Sequence, residues 1–163
     1  MVFNGDLASG LYVGGYWIGD EDSSYAGQVE MLVRIPQMVL GGILAAAGVS
    51  HLGSNRLEFV AQVPSLLKEY ADFVVLASGV VEIVLGVGLL LVWKYRVVIG
   101  WATAIFFVAI FWGNISQYLN GVDAFGLDSD RERFVRLLFQ PVLVAWALLS
   151  TGAWRAWRGG LKR

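Results

Sequence analysis

The sequence contains no cysteine, a single histidine, three prolines and few charges. Without cysteine there is no disulfide framework, no thiolate nucleophile, no Cys-ligated zinc and no iron–sulfur cluster. One histidine, His51, denies a single chain both bis-histidine haem ligation and a three-histidine zinc site. No metal site is expected, and a redox role would rest on a bound organic cofactor, such as a quinone, or on a partner. Charged residues make up 15% of the 163 positions, against roughly a quarter in soluble domains. The formal net charge is -1 and no basic stripe carries interleaved aromatics, so nucleic acid is not an expected partner. Residues 1–30 hold Asp6, Asp20, Glu21, Asp22 and Glu30 but neither Lys nor Arg, so a secretory signal with its positive start is not expected.

What the chain does have is apolar length. Hydrophobic residues reach 57% and the mean hydropathy is +0.63. Ala71–Trp93 is apolar almost throughout and long enough to cross a hydrocarbon core of roughly 30 Å. Three further stretches read the same way, roughly Met31–Ser50, Val97–Gln117 and Phe134–Trp157. The predicted fold is an all-α, integral membrane four-helix bundle in contact with lipid. It occupies residues 31–158, behind an acidic extension at 1–30 and before a basic tail at 159–163. Gly41, Gly42, Ala45, Ala46 and Gly48 form a small-residue run that would let a second helix approach closely. The pattern Leu57, Phe59, Val60 and Val63 predicts a short amphipathic segment at the surface.

An even number of spans puts both termini and the turn Lys94-Tyr95-Arg96 on one side. With Arg34, Arg155, Arg158, Lys162 and Arg163, that side carries more cations than the other, which favours cytoplasmic termini. The patch Leu7–Gly19 is too short to span and reads as interfacial or partner-contacting. Leu7, Tyr12, Tyr16, Trp17, Asp20, Glu21 and Asp22 are the candidate docking residues for a protein partner, although the composition also fits a flexible arm.

Polar residues inside the spans carry the functional argument. Glu82 lies near the middle of the second span, where a lipid-facing carboxylate would cost several kcal/mol, so it should face protein or water. His51 closes the first span, Asn114 and Gln117 lie toward the end of the third, and Arg136 and Gln140 share a face early in the fourth. All these ends fall on the same side of the bundle. A ligand pocket lined by His51, Glu82, Asn114, Arg136 and Gln140 is expected there. The competing reading is that these groups only hydrogen-bond across helices and hold the fold. There is no GxGxxG after a strand, no Walker loop and no HExxH, and neither Ser50 nor Ser78 has a base–acid arrangement for acyl transfer. Catalytic residues are therefore not identified.

Several strings taken together resemble a known family. His51 ends the first helix, Val63-Pro64 follows in the loop, and Ser78-Gly79-Val80-Val81-Glu82 precedes Gly86-Val87-Gly88-Leu89-Leu90-Leu91. Asn114-Ile115-Ser116-Gln117-Tyr118 ends the third helix and Arg136-Leu137-Leu138-Phe139-Gln140-Pro141 opens the fourth. In this order and spacing the chain resembles the DoxX family of small four-helix membrane proteins over about residues 32–157. It departs from that pattern at Leu52, where an aromatic is common, and at Trp112-Gly113, where Pro-Ala often stands. Residues 1–30 lie outside the resemblance.

The resemblance implies a multi-pass protein of a bacterial plasma membrane with cytoplasmic termini. It also implies a membrane partner for thiosulfate:quinone oxidoreductase activity or for oxidative-stress complexes, since some relatives look like such partners. The leading expectation is a membrane subunit that recruits a redox partner or contacts a quinone-like ligand. The alternatives are a non-catalytic accessory subunit of a larger respiratory or envelope complex, and a small-solute transporter or channel formed by an oligomer.

Overall fold

The computed structural model describes the backbone of residues 10–13, 16–19, 23–53 and 55–160, with side-chain environments from residue 31 onward apart from Val33 and Ser54. The chain divides into two compact units, Met1–Pro36 and Gln37–Arg163. In the first unit, β1 (Gly10–Val13) and β2 (Tyr16–Gly19) form an antiparallel ladder with Tyr12 opposite Trp17. The helix α1 (Ser23–Leu52) begins well before the expected Met31. Ala26, Gln28, Glu30 and Met31 are good helix formers and no proline precedes Pro36, so nothing stops the helix from extending backwards. Of the candidate docking residues, Tyr12, Tyr16 and Trp17 lie in the two strands, while Leu7, Asp20, Glu21 and Asp22 lie outside the described residues.

From Gln37 onward the described structure is all-α. After α1 come a short helix α2 (Arg56–Gln62), a 3-10 turn at Ser65–Tyr70, and the long helices α3 (Ala71–Leu91) and α4 (Arg96–Leu119). The helices α5 (Asp130–Ser150) and α6 (Ala153–Gly160) complete the chain. Four segments, Arg34–Leu52, Ser65–Leu91, Trp93–Leu119 and Asp130–Ser150, are long and apolar enough to cross a membrane. Their outward residues stay apolar (Ile43, Phe73, Val84, Ile105, Val108 and Val142 are all exposed), the pattern of a bundle whose solvent is hydrocarbon. A core of Leu40, Leu44, Leu89, Ala104, Phe107 and Ala147 joins α1, α3, α4 and α5.

The fourth expected span, Phe134–Trp157, is corrected at both ends. Its helix starts earlier because Ser129 and Glu132 form a reciprocal capping box that fixes the first turn at Asp130. It stops at Ser150 because Gly152 takes a left-handed φ of 74°, which a side chain would resist, and α6 then leaves as a separate helix. Thr151 is buried at that break against Gly100 of α4.

The small-residue face is real, but it is not the whole predicted set. Gly41 and Gly48 of α1 meet Gly86 and Gly79 of α3. A Cβ on Gly48 would stand 2.5 Å from the Gly79 carbonyl oxygen, so the two backbones are in contact. Gly42 has nothing within 4 Å and Ala46 is exposed, since both fall on the outward side of the same helix. Gln37 adds a polar tie to this seam, donating through Nε2 to the Leu89 carbonyl at 2.7 Å.

Candidate functional site

The close α1–α3 seam places the last turn of α1 beside the middle of α3. His51 Cβ is the nearest neighbour a Cβ on Gly79 would meet, at 2.7 Å. The imidazole Nδ1 lies 2.8 Å from the carbonyl oxygen of Ala47, one turn back on its own helix, and 3.0 Å from Glu82 Oε2. The ring nitrogen lies closer to the carbonyl, and Glu82 Oε2 stays buried at ion-pair distance from it without a well-aligned hydrogen bond of its own. Glu82 is 4% and His51 7% exposed. The ring of Phe59, from α2, stacks on His51 with centroids 3.4 Å apart.

Arg136 enters from the second turn of α5. Its NH2 donates to Gln62 Oε1 at 3.1 Å and its NH1 to Gln117 Oε1 at 3.3 Å, while Gln62 Nε2 donates to the same Gln117 oxygen at 3.0 Å. The guanidinium also lies over the ring of Phe125, 5.0 Å from its centroid. Deeper between α4 and α5, Asn114 Nδ2 donates to Gln140 Oε1 at 3.0 Å, and Gln140 Nε2 donates to the Phe107 carbonyl at 2.6 Å.

His51, Glu82, Asn114, Arg136 and Gln140, the five residues expected to line a pocket, do line one cavity of about 490 Å³. Gln62 and Ser78 also line it, and the rest of its walls are apolar, with Val75, Phe107, Ile110 and Leu143 inside and the exposed side chains Ile43, Leu67, Trp112 and Phe139 at its rim. The opening is thus framed by exposed apolar side chains. A roof is made by α2, on which the 120–128 connection packs through Phe125. Arg56 pairs with Asp72 at the start of α3, and Glu58 accepts the Phe125 backbone N–H at 2.7 Å.

The polar atoms of this cavity are unequal. Asn114 and Gln140 satisfy each other and act mainly as helix-to-helix ties. Among the described residues, Arg136 hydrogen-bonds only to neutral amide oxygens and no carboxylate reaches it within ion-pair distance. Glu82 has an acceptor oxygen to spare. Glu82 and His51 would supply two metal ligands, and no third His, Asp or Glu joins them among the described residues. An unused acceptor and a guanidinium held only by neutral groups, in one apolar-walled space, suit a ligand that both donates and accepts hydrogen bonds.

Gln62, Gln117 and Phe59 were not singled out as site residues. Gln62 lies in a polar connection, where a glutamine carries no signal. Gln117 had one, because it follows Asn114 by three residues and so shares its face on α4.

Fold and site together define a helical bundle with four helices of membrane-crossing length around a buried, largely apolar cavity with polar ends. The chain matches a family described as a domain of unknown function, DUF8561, over residues 40–151, and it belongs to that family. The matched region contains every residue that lines the cavity. No curated protein and no solved structure matches the chain.

Proposed function

We propose that this is an integral membrane protein whose cavity binds a small lipid-soluble molecule with polar groups on an apolar ring, of quinone type. The observation that carries the reading is that buried Glu82 and Arg136, not in contact with each other, line one cavity whose rim is exposed apolar side chains. A ligand arriving through the bilayer would meet that rim first. Arg136 would donate to a carbonyl oxygen, and Glu82 would accept from a hydroxyl or share a proton with His51. The resemblance to DoxX proteins supports the same reading, with the protein as the membrane subunit of a redox complex. We place it in a bacterial plasma membrane with Lys94, Arg96, Arg155 and Arg158 on the cytoplasmic side, following the charge bias.

The test is titration of purified protein with a short-chain quinone and its hydroquinone. Glu82→Gln keeps the shape but replaces one carboxyl oxygen with an amide nitrogen that cannot accept. Hydroquinone binding should fall about tenfold, the loss of one hydrogen bond in a buried site. Unchanged affinity in a variant that keeps its helix content would overturn the assignment.

Recruitment of a partner would fall to the first unit, where the β1–β2 ladder offers a short paired element ahead of α1. Because α1 starts at Ser23, the informative truncation removes residues 1–22 and leaves that helix whole. Co-purification of a redox enzyme should be lost while the bundle stays helical. A partner retained in full by the truncated chain would rule out docking through this segment.

A further inference from the structure

A second feature runs from Gln140, which it shares with the polar cavity, toward the opposite end of the bundle. Between α4 and α5 runs a groove of about 540 Å³, lined by Val108, Phe111, Pro141, Val144, Ala145 and Leu148 and closed at one end by Trp154 of α6. It exists because Pro141 and Ala145, four apart and so on one face of α5, are too short to fill the space between the helices. Its one polar lining residue, Gln140, spends its amide on Asn114 and the Phe107 carbonyl. The groove is therefore suited to a hydrocarbon chain.

The helix that closes the groove is basic. α6 reads AWRAWRGG, with Trp154 and Trp157 in contact (centroids 5.0 Å apart) and Arg155 and Arg158 both exposed. The neighbouring turn between α3 and α4 adds Lys94 and Arg96, which lie over the Tyr95 and Trp93 rings. No acid occurs in residues 91–101 or 150–160. From residue 37 onward the carboxylates outside the cavity, Glu58, Glu69, Asp72, Asp123, Asp128, Asp130 and Glu132, all belong to the other end. Among the described residues, no carboxylate pairs with Arg155 or Arg158.

We infer that this groove and α6 form a binding site for an anionic phospholipid, with an acyl chain against Pro141 and Ala145 and the phosphate on Arg155 and Arg158. Basic residues next to an apolar channel, at the level where tryptophans mark the interface, supply both halves of such a molecule's chemistry. Gln140 lines both this groove and the quinone-type cavity, but its amide is spent within the fold and the two ligands differ, so this site stands or falls separately.

The experiment is native mass spectrometry of the full chain equilibrated with equal amounts of phosphatidylglycerol and phosphatidylcholine carrying identical acyl chains. The wild type should retain phosphatidylglycerol in preference. Arg155→Gln and Arg158→Gln should each lower that preference about fivefold, and the double variant about 25-fold. Ala145→Leu, or the bulkier Ala145→Trp if the former keeps its fold, should reduce retention of both lipids by filling the groove. An unchanged lipid ratio in the double variant overturns the headgroup assignment. Full lipid retention by a folded groove-filled variant overturns the acyl seat and leaves only a basic surface.

Discussion

Replacing Gly86 with valine should separate α1 from α3 and destabilise the bundle by about 3 kcal/mol or more, at the upper end for overpacked cores. A Cβ at this position would lie 2.6 Å from both the Ala45 nitrogen and the Gly41 carbonyl oxygen. These are backbone atoms of a facing helix, which cannot rotate aside as a side-chain tip can. The control is Gly42→Val one residue from the seam, where nothing lies within 4 Å and a small effect is expected. Denaturant titration of both variants in the same detergent checks the contrast. Equal stabilities would mean that the seam is not a close backbone contact. The loss should extend to the site, because the same seam sets His51 beside Gly79 and hence beside Glu82.

Replacing Arg136 with leucine should have the second largest effect, about 3 kcal/mol. It removes two hydrogen bonds from a charged donor and leaves Gln62 Oε1 without the partner it has now. Arg136→Lys should recover only part of the loss, since an ammonium cannot span two acceptors as the planar fork does. The distinguishing readout is amide hydrogen exchange in α2, which should accelerate in the leucine variant while exchange in the middle of α4 stays slow. Exchange in α2 at the wild-type rate would show that Arg136 does not hold the roof.

The spans and most of the site were legible in the sequence for one reason. Within an apolar helix any polar residue stands out, and antiparallel connectivity then says which of them share an end. Glu82, His51, Asn114, Arg136 and Gln140 were all found in this way, and one cavity joins them. Gln62 was not, because it lies in a polar stretch and acquires its role only when α2 folds over the bundle.

Glycine was legible as a class but not by position. Gly41 and Gly42 are indistinguishable in composition, yet only the first faces α3, and a single residue of rotation decides it. At Gly152 the sequence did offer a stop, a glycine just past the last apolar turn, but the Trp and Arg residues beyond it continue a helical pattern. The early start of α1 left no mark, since polar helix formers and a disordered arm have similar composition.

The roof of the cavity has a consequence of its own. α2 spans seven residues, well short of the roughly 12–15 that an isolated helix needs to hold itself in water. Its order is therefore borrowed from Asp72, Phe125, Gln117 and Arg136, each on a different part of the chain. Coiling of this segment and sealing of the chamber beneath it are one transition. Exposing the chamber from above means melting a helix, so a guest that enters between the apolar side chains of the rim spares the molecule that step.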